Sequence, residues 1–343
     1  MSEFRVDQIK NQAGTRGPDV AGITTFSGVS GIVMPSGATE YRGGRGRGVL
    51  GGGGISPGTT GNVMQYITIA STGNSTDFGD LTQARQNLSA VSSSTRGLWA
   101  GGSTFPTRVN TIDYATISST GNAFDFGDLL SVTLSPSGAS NSTRGIFAGG
   151  DDGVNNIDVI QYVTIATTGN AADFGNLSAS KSGANGCSSP TRGIFAGGAP
   201  VAGNVIEFVT ISTLGNSTDF GDLTQTKDFN NNSNISNATR GVFAGGFAPA
   251  PSFTNVIEFI TMSSLGNGQD FGDLSVASES LAGCSSPTRG VFAGLRTGTP
   301  FTVDNRMDYI TISTLGNSSD FGDVTTLIIS TGGCSDVHGG LGD

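Results

Sequence analysis

One motif, close to Thr-Arg-Gly-apolar-Phe-Ala-Gly-Gly, is written six times along 343 residues. Its arginine falls at Arg47, Arg96, Arg144, Arg192, Arg240 and Arg289, in steps of 49, 48, 48, 48 and 49 residues. Each copy runs on through a variable loop and an alternating apolar stretch to a close version of Gly-Asn-x-x-Asp-Phe-Gly-Asp-Leu. A period near 48 built from strand-forming residues confines the chain to a repeat architecture. Function is then to be sought in what differs between copies and in what precedes them.

Glycine supplies 55 residues, charged residues only 13%, and lysine occurs just at Lys10, Lys181 and Lys227. This is the profile of a turn-rich all-β protein. The regular alternation of Val, Ile, Phe and Tyr argues against disorder. A net charge of −10 leaves no cluster of Lys and Arg for a phosphate backbone, so nucleic acid is not an expected partner. No apolar run approaches the roughly 20 residues that span a bilayer, and no membrane insertion is expected. The first 14 residues lack the apolar centre of a signal peptide.

Cys187 and Cys284 each stand five residues before a repeat arginine, where other copies carry Val91, Ala139 and Ile235. Cys334 lies in the corresponding stretch near the C-terminus. A position that accepts Val, Ala, Ile or Cys is a buried apolar one. In different repeats the three thiols are expected to lie too far apart to cross-link, and free thiols suit a reducing cytoplasm.

The copy from Gln83 to Leu130 shows the unit. Asn87 to Ser93 reads as a strand, and residues 94–97 as a turn. Leu98 to Ala100 is a second strand closed by Gly101-Gly102. After a loop, Ile112 to Ser118 forms a third strand. Thr120-Gly121-Asn122 is a hairpin signal, and Phe124 to Leu129 a fourth strand. Four short antiparallel strands in about 48 residues make one propeller blade. Six make a six-bladed β-propeller over residues 46–343, with residues 1–45 as a separate extended arm; a solenoid is the competing arrangement. The first unit begins at its second strand, while residues 327–337 add a surplus strand. The surplus is expected to complete the first blade, close the ring and remove its open edges. His338, the single histidine, then falls near the position of a blade arginine.

The order of strand, Gly-Gly, loop, alternating strand with an aromatic (Tyr66, Tyr114, Tyr162, Phe208, Phe259, Tyr309) and second aromatic before a turn resembles the kelch repeat. The resemblance covers about 300 residues. The kelch tryptophan is missing, with Phe78, Phe126, Phe174, Phe220, Phe271 and Phe321 in its place, and the last copy reads Gly294-Leu295 instead of Gly-Gly. Such blades imply a fold and no particular activity.

Asp-Phe-Gly is also the magnesium-binding motif of protein kinases, but six copies without a catalytic loop make it structural here. Its Phe is expected to fill the gap between blades, its Gly to permit a bulge, and its aspartates to bond turn amides or the blade arginine. Residues 75–79 resemble the Asp-box of sialidases without its trailing Thr-Trp. The six arginines either form an anion-binding ring or, the preferred reading, pair locally with aspartates. No Ser-His-Asp, Cys-His or zinc arrangement can be assembled around His338. Neither enzymatic activity nor a cofactor is expected; calcium on Asp151 and Asp152 stays open.

Successive loops of a blade alternate between two faces. The Thr-Arg-Gly and Gly-Asn turns share a constant face. The loops after Gly-Gly lie on the other, and these vary, carrying Phe105, Asp151, Asp152, Phe247, Phe253 and Phe301. Aromatics on variable loops of a rigid scaffold read either as a contact surface or as packing over blade edges. Met1 to Gly14 resembles the N-terminal tag of tail-fibre and other virion proteins of tailed bacteriophages, matching at Phe4, Val6, Asp7, Ile9, Asn11 and Gly14. Apolar residues continue at Ile23, Phe26, Ile32 and Val33. The arm is too small for its own core, so Phe4, Val6, Ile9, Ile23, Phe26, Ile32 and Val33 are expected to order on a partner or on copies of the chain. The resemblance implies a non-enzymatic virion component, made in the host bacterial cytoplasm. The arm would attach it to other virion proteins and form homo-oligomers, and the propeller would serve as an adhesion or capsid-decoration head. A host-surface glycan-binding or glycan-cleaving propeller is the alternative.

Overall fold

The computed structural model describes residues 46–56, 59–200, 203–230, 233–248, 252–298 and 301–337. The arm and His338 lie outside the described residues. The unit read from the sequence is present with its strands at Ser89–Ser92, Arg96–Ala100, Thr111–Thr116 and Phe124–Asp128, hydrogen-bonded antiparallel in chain order. The same four-stranded sheet recurs in the four units that follow. The first unit supplies only Arg47–Gly51, Val63–Thr68 and Thr76–Asp80. Its innermost strand is Gly332–Ser335, paired with register Gly48↔Ser335 and Gly51↔Gly332. Blades are counted from this mixed one as blade one.

The innermost strands touch in an unbroken cycle that returns from blade six to blade one. The molecule is therefore an all-β, six-bladed propeller, and the solenoid is excluded. Six apolar clusters each draw on two neighbouring blades. In one, Val49, Met64 and Phe78 of blade one meet Leu88, Trp99, Ala115 and Ile117 of blade two. The core thus lies between blades, which no single repeat could bury alone.

The Asp-Phe-Gly strand and the Gly-Asn turn together form the joint. The strand bulges at Met64/Gln65, so that Gln65 pairs Asp77 and Met64 pairs Gly79, leaving Phe78 as the extra residue. Phe78 is buried, packing edge-to-face on Tyr66 at 6.2 Å. Gly121 N–H of the next blade donates to Phe78 C=O at 2.7 Å, and Asn122 Oδ1 accepts from Asp80 N–H at 3.1 Å. The pair recurs at each joint and ends with Gly73 to Phe321 at 2.7 Å and Asp323 N–H to Asn74 Oδ1 at 3.0 Å. Gly79, at φ 145°, has to be glycine: a Cβ there would lie 2.4 Å from Gly121 O.

The axis is filled with small polar side chains. Ser140 Oγ donates to Ser92 C=O at 2.9 Å, and Ser92 Oγ to Ser335 C=O at 2.8 Å. Ser236 and Ser335 bridge their neighbours in the same way. Two residues before these serines stand Ala90, Gly138, Gly186, Gly283 and Gly333, except in blade five, which carries Asn234. Its Nδ2 donates straight across the ring to Ala90 C=O of the opposite blade at 2.5 Å.

Candidate functional site

The repeated polar residues are consumed by ring cohesion. Arg47 faces Thr68 in the strand register, so Tyr66 is its diagonal neighbour on the same face. The guanidinium lies 4.5 Å from the Tyr66 ring centroid and donates to Ile117 C=O of blade two at 2.9 Å. All six blade arginines repeat this, from Arg96 over Tyr114 to Arg289 over Tyr309, the last donating to Ile69 C=O of blade one at 3.0 Å. The expected pairing with aspartates is corrected: among the described residues none of the six makes an ion pair. The first aspartate of each Asp-Phe-Gly motif sits exposed on the outermost strand, beyond reach of the arginine on the second strand. The residue after the glycine, Asp80 or Asp128, bonds the turn with its backbone amide and not with its carboxylate.

A second joint was invisible in any one copy. The third strand carries a buried polar residue in every blade: Gln65, Asp113, Gln161, Glu207, Glu258 and Asp308. Each carboxylate or amide holds the connection that leaves the preceding blade. Asp113 accepts from Thr82 N–H and pairs with Arg85 at 2.9 Å, both side chains fully buried. Lys227 pairs with Glu258 at 2.7 Å, also fully buried, and Lys181 pairs with Glu207. Where the strand residue is Gln161, the cation's position holds Thr133. Aligning the copies shows a cation facing a carboxylate at three joints and neutral pairs at two, Thr133 with Gln161 and Ile328 with Gln65, while the carboxylate Asp308 faces Ser278 and accepts instead from Ser275 N–H and Ser318 Oγ. Burial lowers the Arg85 and Lys227 pKa values, and the facing carboxylates oppose that shift.

The three cysteines are free and buried. Cys284 and Cys334 lie on adjacent innermost strands, where blades converge, and each affects the other's titration. Burial pushes the Cys284 thiol up to about 12 and raises Cys187 and Cys334 as well.

Variation between copies is concentrated on the loops after Gly-Gly. Asp151 pairs with Arg108 of the neighbouring loop at 2.9 Å and accepts from Gly153 N–H. Asp152 Oδ1 accepts from Val154 and Asn155 N–H, both at 2.8 Å, and these bonds lower its pKa. Both aspartates shape their own turn. Among the described residues no group of three His, Cys, Asp or Glu side chains is placed to hold a metal ion. Phe105 is 59% exposed and stands apart from the other loop aromatics. Leu130, Val132 and Val154 are exposed apolar neighbours of this loop face in blades two and three. The constant face is less uniform than the sequence reading held: Leu214, Leu265 and Leu315 are exposed in blades four to six where Thr72, Thr120 and Thr168 stand in the others.

Phe247, Phe253 and Phe301 are brought together. The first two ring centroids are 4.8 Å apart and the second and third 5.8 Å, with planes tilted by 47° at both steps. Arg296 lies 3.8 Å over the Phe301 ring and pairs with the fully buried Glu279 at 3.0 Å. The broken diglycine explains the setting. Leu295, without the left-handed backbone of the second glycine in other blades, starts the strand Leu295–Thr297. That strand pairs with Ser278–Glu279 and Thr302–Asp304 in a three-stranded sheet, the only one among the described residues. Arg296 and Glu279 escaped the sequence reading, although the Gly294-Leu295 break marked the place. Burial raises the Glu279 carboxyl to about 7, with Arg296 opposing and Asp228 adding to the rise.

These features define a closed pseudo-sixfold propeller whose distinctive surface lies on its variable loops. No protein-family model and no curated protein matches the chain.

Proposed function

We propose that the chain is a non-enzymatic virion component of a tailed phage, with residues 1–45 attaching it to other virion proteins and the kelch-like propeller displayed as an adhesion or decoration head. The observation that carries the display half is the division of labour among residues. Arginines, aromatics, Gly-Asn turns and buried ion pairs are all taken up in joining blades, which leaves the variable loops as the part free to differ. The attachment half rests on the phage-like pattern at Phe4, Val6, Asp7, Ile9, Asn11 and Gly14. Deleting residues 1–45 is expected to abolish incorporation into particles, measured by immunoblot of purified virions. Undiminished incorporation would overturn the attachment.

A second reading, a propeller that binds host-surface glycan, is favoured by the aromatic group of Phe247, Phe253 and Phe301. Rigid aromatic rings offer large contact area at small entropic cost.

A further inference from the structure

Phe247, Phe253 and Phe301 form a strip along the variable face at blades five and six. Phe301 is 50% exposed, while Phe247 and Phe253 are half-buried. The tilt of 47° at both steps keeps the rings from stacking on one another. Ring surface therefore remains for a ligand, and each centroid step is close to the length of one pyranose ring. Phe301 is held in place on one face, because the Arg296 guanidinium lies 3.8 Å from its centroid and is itself paired with Glu279.

Charge selects the ligand. Arg296 is the one cation against these rings among the described residues, and it is held in an ion pair with Glu279. A polyanion would find no free cation there and would approach a chain of net charge −10. A neutral sugar meets neither obstacle. Its C–H faces pack on the aromatic rings.

We propose that this strip is a subsite for a neutral saccharide, with about two pyranose rings packed over Phe253 and the face of Phe301 that Arg296 leaves free. The proposal rests on the reading of the variable face as a recognition surface and not on attachment of the arm to a particle.

The test uses the full chain with immobilised gluco-, manno- and galacto-oligosaccharides beside oligosaccharides of hexuronic acids. At least one neutral series is expected to bind. Phe253→Ala and Phe301→Ala should each weaken that binding about tenfold or more, while Phe105→Ala leaves it unchanged. Phe301→Tyr should retain it, which separates loss of the ring from loss of fold, and thermal unfolding of each variant checks the same point. Absence of neutral binders, preference for the hexuronates, or indifference to both alanine changes would overturn the subsite. If no neutral sugar binds while deletion of residues 1–45 still abolishes incorporation, the subsite fails and the attachment stands.

Discussion

Arg85 and Asp113 form an ion pair at 2.9 Å that no solvent reaches, and they belong to consecutive blades. One blade over, the same two positions hold Thr133 and Gln161, with Gln161 Oε1 accepting from Leu130 N–H at 2.7 Å. Either solution closes the joint, and a lone carboxylate is tolerated where hydrogen bonds hold it, as at Asp308 opposite Ser278, but removing Asp113 alone would leave the Arg85 charge buried without a partner. Asp113→Ala is expected to cost about 3–5 kcal/mol. The double change Arg85→Thr with Asp113→Gln, borrowed from the neighbouring joint, should recover most of that loss. Denaturant unfolding of the three proteins measures it, and equal destabilisation of single and double variants would refute the interchange.

Gly73 and Gly79 have similar backbones, at φ 155° and 145°, and different surroundings. A Cβ on Gly73 meets nothing within 4 Å, whereas one on Gly79 would lie 2.4 Å from Gly121 O. Gly73→Ala should therefore show the backbone cost alone, about 1–3 kcal/mol. Gly79→Ala should cost about 3 kcal/mol or more, because blade two has to move away. Similar melting temperatures for the two would show that the joint yields easily.

Glu279 makes stability depend on pH. A carboxyl held at about 7 instead of 4.5 binds its proton more tightly in the folded chain than in the unfolded one. The folded state is thus favoured at low pH and loses that advantage as pH rises from about 4.5 to 7. The contribution expected is about 1–2 kcal/mol across that window. Glu279→Gln should flatten this part of the profile, as read by urea unfolding at pH 4.5 and 7.5. An unchanged slope would place the dependence elsewhere.

The thiols offer a probe of ring integrity. Cys187, Cys284 and Cys334 are buried, with titration shifted upward by burial. A neutral disulfide reagent should leave all three unmodified in the native protein and modify them on unfolding. Rapid labelling of Cys334 alone would reveal that the mixed blade opens by itself.

Much of this architecture was legible in the sequence because the repeat is local. The strands from Ser89 to Asp128 follow from alternation and glycine punctuation, and the surplus strand at Gly332–Ser335 announced its own partner. The arginines were harder. Counting aspartates suggested ion pairs, but only the register that places Arg47 opposite Thr68 shows Tyr66 to be its neighbour. The pair Arg85–Asp113 spans 28 residues and two blades, so it emerges only when copies are compared. The same holds for the strip: Phe253 and Phe301 come from different repeats, and nothing in either loop alone says that their rings lie 5.8 Å apart.

The strand Gly332–Ser335 pairs with Arg47–Gly51, whose partners lie more than 280 residues earlier. Its consequence is one of timing. On the ribosome the first blade emerges with an uncovered edge and keeps it while the other five are made. Contacts of such sequence separation form slowly, so the nascent chain carries an adhesive margin until Gly332–Ser335 has been made. Termination shortly before residue 332 would release a product that is nearly all propeller and still open to pairing with another chain.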